Sequence, residues 1–158
     1  MTTSLVTGPT AVRTDHLAVA RDFAASPTSW PLAPRFNPEH RWSHRLAVTA
    51  DVEVWLLTWL PGQGTEVHDH GGSAGAFTVV TGELTEQTYT GVRPGSALFV
   101  AGSGRRFGAR HIHRVVNQSR IPAISVHVYG PALTTMTRYR LDGDRLVVDA
   151  IERAGEQW

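Results

Sequence analysis

The chain has 158 residues, 41% of them hydrophobic and 18% charged, with a formal charge of +1; that balance excludes a disordered chain and gives a polyanionic partner no footing. No apolar run nears the roughly 20 residues that span a bilayer, and Met1 to Thr10 lacks the basic-then-apolar order of a secretory leader, so we expect a cytoplasmic protein with no membrane and no nucleic-acid partner. There are no cysteines, so disulfides and thiolate metal sites are excluded and any metal must be held by nitrogen and oxygen.

Along the chain, the spacing of Leu17, Ala20, Phe23 and Ala24 predicts a helix from Thr14 to Ser26, ended by Pro27. Pro27, Pro31, Pro34 and Pro38 then predict an extended surface loop. From about residue 41 the hydrophobic period changes to two. Ten strands are expected: Trp42–Thr49, Glu53–Leu60, Thr65–His70, Ala76–Thr81, Glu83–Thr90, Ala97–Ala101, His111–Asn117, Ala123–Tyr129, Met136–Leu141 and Arg145–Ala150. Pro61-Gly62, Gly71-Gly72, Gly82, Pro94-Gly95, Gly102-Ser103-Gly104 and Asp142-Gly143-Asp144 supply turns between them. Short strands without intervening helices predict an all-β antiparallel sandwich or barrel. Nothing divides the chain, so residues 1–158 read as a single domain, with the helix and proline loop at about 14–40 and the β-barrel at about 41–150.

The eight histidines carry the chemistry. His16 and His40 read as surface residues. His68 and His70, two apart on a predicted strand, share a face, and one metal ion can touch both imidazoles. His113 lies on a different predicted strand and can aim at the same interior point; His111 shares that face and is the rival ligand. Ser125, His127 and Tyr129 fall on one face of their strand, with Val126 and Val128 on the other. Facing water, the three would mark a plain edge strand. Facing inward, they form a hydrogen-bonding series that fixes the direction of the phenol.

Gly62-x5-His68-x-His70-x4-Gly75-x6-Gly82 resembles the first cupin motif, and the Pro94-Gly95 turn followed by His113-x3-Asn117 resembles the second, with an insertion-like stretch at Ala101 to Ile112. The His-x3-Asn spacing favours His113 over His111. Within the cupins the chain is similar to bacterial cysteine dioxygenases, through Trp55 to Gly62, His68 to Gly75, His113-Arg114-Val115 and Ser125 to Tyr129, over about residues 14 to 145. The resemblance implies a jelly-roll-like double-sheet barrel. It implies one Fe(II) per chain held by His68, His70 and His113, with a small thiol and O2 as partners. It also implies a carboxylate-binding arginine, expected at Arg45 with Arg41 as the alternative, and a Ser125–His127–Tyr129 relay.

Two departures stand out. Gly75 occupies the place of the usual cupin glutamate ligand, where animal members of the family carry a cysteine cross-linked to the tyrosine; here no such bond can form. Ser43 stands where many relatives have tyrosine. The implied activity is conversion of L-cysteine to cysteine sulfinate. A dioxygenase for another small thiol such as 3-mercaptopropionate, or a non-catalytic metal-binding sensor on the same barrel, are the alternatives. The oligomeric state is not legible from the residues; a monomer is the working expectation.

Overall fold

The change of hydrophobic period near residue 41 marks the boundary between a helical arm and a pair of sheets. The structure, a computed structural model, describes residues 13–89 and 94–154. The predicted strand end at Thr90, and the Met1 to Thr10 stretch, lie outside them.

Helix α1 (His16–Ala25) begins where Asp15 Oδ1 accepts the backbone N–H groups of Leu17 and Ala18, both at 3.1 Å, satisfying donors that have no partner within the helix. A short 3-10 turn at Pro27–Ser29 follows, and the Trp30 indole donates to the Phe23 carbonyl at 3.0 Å. The proline segment is tied down farther on, where Thr58 Oγ1 donates to Arg35 O and Gln63 Nε2 to Asn37 O.

Eleven strands follow among the described residues: β1 (Ser43–Val48), β2 (Glu53–Trp59), β3 (Val67–His68), β4 (Ala74–Thr81), β5 (Glu83–Thr88), β6 (Gly95–Val100), β7 (Gly104–Phe107), β8 (His113–Val116), β9 (Ala123–Gly130), β10 (Thr135–Asp142) and β11 (Arg145–Arg153). They form two antiparallel sheets, in the orders β1-β2-β9-β4-β7 and β11-β10-β3-β8-β5-β6. The predicted all-β, double-sheet architecture with a short helical arm is what the structure has. The sequence reading misses β7, because Gly102-Ser103-Gly104 and the paired arginines after it read as a loop. Gly104 packs so closely on the Phe77 carbonyl and Thr78 that a side chain there would have no room. The apparent insertion is therefore a fifth strand of the first sheet.

Burial explains the pattern of β2 and β9. On their inner face Leu57 and Trp59 join Phe77, Val79, Leu84, Val115 and Met136 in a core between the two sheets. On their outer face Val54, Leu56, Val126 and Val128 pack under Ala20 of α1, with Trp30 and Trp42 at the margin. A sheet covered on both sides demands apolar residues at consecutive positions, which is why Val54 to Trp59 reads as a run rather than an alternation. Each such side chain contributes roughly 1.5–3 kcal/mol by leaving water.

Phe77 is fully buried, stacked on His127 with centroids 5.3 Å apart and edge-on to Phe99 at 5.0 Å. Phe77→Ala should therefore cost about 3–5 kcal/mol in chemical denaturation; a loss below about 1 kcal/mol would show that the two sheets do not close on this ring.

Candidate metal centre

The sheet register brings the key imidazoles together. His68 on β3 sits directly opposite His113 on β8, with ring centroids 4.7 Å apart. His70 lies just past β3, in the turn that Gly71 and Gly72 complete with positive φ. Asp69, between the two histidines, clips this turn: Oδ1 accepts from Gly71 N at 2.9 Å, and Oδ2 from the Tyr139 hydroxyl at 2.6 Å. His70 thus meets His68 at 4.9 Å and His113 at 5.0 Å, edge to face in both cases. One nitrogen from each ring lies within 4.8 Å of the others, and all three residues are buried.

The hydrogen bonds identify which nitrogens are free. His68 Nδ1 donates to the Glu66 carbonyl at 2.8 Å, and His113 Nδ1 donates to Glu86 Oε1 at 2.7 Å. Each ring then keeps its Nε2 lone pair unshared. Neither nitrogen of His70 has a partner although both are buried. Buried polar atoms are normally satisfied, so three rings presenting unshared nitrogens to one point fit a cation held by nitrogen. Burial, then the neighbouring imidazoles, holds the pKa of His68 and His70 well below the ordinary histidine value; burial lowers that of His113 against the pull of Glu86. The rings are neutral, as metal ligands must be.

Gly75 has no free space beside it. A side chain there would strike the Val128 carbonyl and Phe107 Cζ, the latter at 2.7 Å. Phe107 itself stacks on His70 with centroids 4.8 Å apart, so the place of a carboxylate ligand is filled by an aromatic wall from the strand that the sequence reading misses.

The rest of the cavity is lined by Arg41, Ser43, Trp55, Leu57, Thr65, Leu133, Met136, Arg138, His127 and Tyr129 beside His68 and His113. The structure places Ser125, His127 and Tyr129 on the inner face of β9. Ser125 Oγ is 2.9 Å from His127 Nε2, and the Tyr129 hydroxyl is 3.5 Å from His127 Nδ1. The series has a further member, Trp59, whose indole donates to Ser125 Oγ at 2.8 Å. Burial pushes the His127 pKa down to about 3, with Arg41 and His113 adding to the effect, and raises that of Tyr129 above the ordinary phenol value.

Arg45 and Arg41, the two arginines expected as carboxylate binders, are placed differently. The Arg45 side chain is 52% exposed, reaches Glu53 Oε2 at 3.8 Å and does not line the cavity. Arg41 does, with Nε and Nη1 buried and unpaired and its Cζ 4.8 Å from the Trp59 ring centroid. Arg41, Ser43 and Arg45 share one parity, but Arg41 precedes β1, whereas Arg45 lies within it on the edge of the sheet, opposite Trp55. Burial lowers the Arg41 pKa to about 10, with Arg138 adding and Tyr129 opposing, which leaves it cationic at neutral pH. Arg138, the other cation of the cavity, is already held by Glu152 at 2.6 and 2.9 Å. Its partners are remote in sequence, so no local pattern marks it. His111 is not in the ring of three; its Nε2 donates to Glu86 Oε1 at 2.8 Å. Asn117 holds loops, donating to the carbonyls of Trp59 and Ile121.

The family model for cysteine dioxygenase type I matches residues 9–142. Human cysteine dioxygenase type 1 is 26% identical over 130 residues, covering 75% of this chain and 64% of the human protein, and the rat protein matches over the same shares. The matched stretch is thus just under two thirds of the length of these relatives. Among solved structures, a protein of Thermus thermophilus superposes with a TM-score of 0.57 at 28% identity, over 63% of this chain and 90% of its own. A sugar phosphate isomerase of the cupin superfamily from Silicibacter pomeroyi gives a TM-score of 0.56 at 24% identity, over 73% and 78%. At that identity the second likeness shows a cupin fold alone.

Neutral burial of His127 has a measurable consequence. Between the ordinary histidine value of 6.5 and about 3, the unfolded chain binds a proton that the folded chain refuses. Its contribution to stability is complete above pH 6.5 and lost as the pH falls through that window. The thermal midpoint of chelator-treated protein should drop between about pH 7.5 and about pH 5, less steeply in His127→Asn; a flat profile in the parent would contradict neutral burial.

Proposed function

The chain belongs to the cysteine dioxygenase type I family, and from that premise we propose that it oxidises the thiol of L-cysteine with O2 to cysteine sulfinate, using one Fe(II) held by His68, His70 and His113. The observation that carries this reading is the convergence of three unshared imidazole nitrogens, with His68 and His113 lining a cavity together with the buried guanidinium of Arg41 and with Tyr129. When bound, a divalent iron on three neutral imidazoles supplies open positions for thiolate and oxygen, and stabilises the thiolate at neutral pH. Both oxygen atoms end on the substrate sulfur, so thiol and O2 balance the sulfinic acid with no other reductant.

The remaining work falls to the protein. Arg41 brings a planar guanidinium to the cavity, a group that suits a carboxylate. Trp55 Nε1, also buried and unpaired, adds to a lining rich in donors. With glycine at position 75, no carboxylate there competes with the substrate for the metal. Leu57, Val115, Leu133 and Met136 line the space with apolar groups, which strengthens the Arg41 contact by excluding water.

The Tyr129 proton is directed by the series behind it. An indole N–H only donates, so Trp59 uses a lone pair of Ser125, whose own hydrogen is then directed to His127 Nε2. The imidazole proton sits on Nδ1, facing the Tyr129 oxygen, and the phenolic hydrogen is left to point into the cavity. Its raised pKa keeps it there as a hydrogen-bond donor, so its role is to position rather than to release a proton.

Incubation of iron-loaded protein with L-cysteine and isotopically labelled O2 should yield cysteine sulfinate carrying two labelled oxygens by mass. Oxygen uptake no faster than in the metal-free control would refute the activity, and faster turnover of 3-mercaptopropionate would refute the choice of thiol.

Arg41→Ala should raise the Michaelis constant for cysteine about 100-fold, near the lower part of the roughly 2–5 kcal/mol attached to such a buried contact, with normal iron content. Arg45→Ala should leave it within about twofold; the reverse pattern would return the carboxylate to Arg45. Tyr129→Phe should slow turnover or uncouple oxygen uptake from sulfinate formation, and an unchanged rate and coupling would reduce Tyr129 to packing.

A further inference from the structure

Behind the ring of three histidines lies a carboxylate that the proposed reaction does not use. Glu86 on β5 is completely buried. Its Oε1 accepts from two imidazoles, His113 Nδ1 at 2.7 Å and His111 Nε2 at 2.8 Å, and its Oε2 accepts from Arg105 Nη1 at 2.9 Å. A buried anion with three donors converging on two oxygens is held in one orientation. It comes from the strand beside β8, where Glu86 pairs with Val115 and Thr88 with His113, while Arg105 arrives from β7 of the other sheet.

We propose that Glu86 is a positioning residue for the metal centre: its carboxylate fixes the tautomer and tilt of His113 so that Nε2 faces His68 and His70, and Arg105 moderates the negative charge that reaches the metal through that ring. The inference rests on the reading of His68, His70 and His113 as ligands. A hydrogen-bonded carboxylate behind a metal-bound imidazole raises the basicity of the ligand and removes its freedom to rotate. His113 has no other partner on Nδ1, so the whole orienting effect falls on Glu86. His111 completes the anion's shell and keeps Oε1 from being drawn away toward Arg105.

Glu86, His111 and His113 also lie close enough together to hold a cation of their own. The hydrogen-bond distances and the guanidinium on Oε2 favour protons there instead. Three donors converging on its two oxygens fit Glu86 as an acceptor-only, ionised carboxylate. An ionised carboxylate next to a neutral imidazole is the arrangement that makes the imidazole a stronger ligand.

Two substitutions with opposite expected signs test this. Metal-free protein is titrated with Co(II) against a competing chelator, and the Fe(III)/Fe(II) midpoint potential of iron-loaded protein is measured anaerobically; neither readout needs thiol or O2. Glu86→Gln should weaken Co(II) binding about 10–100-fold and move the potential upward, since less electron density reaches the metal. Arg105→Met should do the reverse, tightening Co(II) binding and lowering the potential, because the carboxylate's charge is no longer shared with a guanidinium. If Glu86→Gln does not fold, as circular dichroism would reveal, Arg105→Met decides alone. Parent protein binding one Co(II), with both variants matching it in affinity and potential, would overturn the role of Glu86 and leave the metal centre standing. Two ions per parent chain would overturn it in favour of a second cation at Glu86. No Co(II) uptake by the parent would overturn the three-histidine reading and this inference with it.

Discussion

The pairing of two short strands, β3 and β8, sets His68 directly opposite His113. Side chains alternate between the faces of a strand, so a slip of one residue in this pair would turn His113 outward and carry Arg114 toward the core. The register is held from several directions. Thr65 accepts from Val115 N through its side chain at 3.0 Å and donates its own N–H to the Val115 carbonyl at 2.8 Å. Glu86 grips His113 from the neighbouring strand, and Asp69 ties the following turn to Thr137 and Tyr139 on β10. The candidate metal centre is thus a consequence of strand pairing, with His70 delivered by a turn rather than by the strand alternation that the spacing of two suggests.

Charge is distributed around this point with a clear division of labour. The ring nitrogens are neutral because burial makes their protonation costly. Arg138 is matched by Glu152, and Arg105 by Glu86. Arg41 alone among these three guanidiniums brings buried, unmatched donors into the cavity. An unpaired buried cation is unfavourable in the free protein, and a carboxylate ligand relieves it. The same physical term would favour an anionic ligand in this cavity.

The aromatic lining gives the site its rigidity. Phe107 stacks on His70 and His111, Phe77 on His127, and Trp59 lies under Arg41 while holding Ser125. Phe107 also explains why glycine is required at position 75: the ring takes the volume that any side chain there would need. Two features that look independent in the sequence, a missing carboxylate ligand and an arginine-rich loop, are one feature in space, because the second sits on the strand that supplies the ring.

The residues themselves determined a good deal. Period-two patterning and turn residues gave the all-β class; the spacing of His68 and His70 and the one-sided polarity of Ser125, His127 and Tyr129 singled out groups that the structure buries at or beside one cavity. These are local signals, set by which face of a strand a residue occupies. Tertiary structure alone set Arg41 against the cavity and left Arg45 half exposed, although the two share parity. It alone made β7 a strand, and it alone placed Trp59, Arg138, Phe107 and Glu86 around the centre. Each of those contacts joins residues far apart in the chain, and no pattern along a sequence encodes a distance across the space between two sheets.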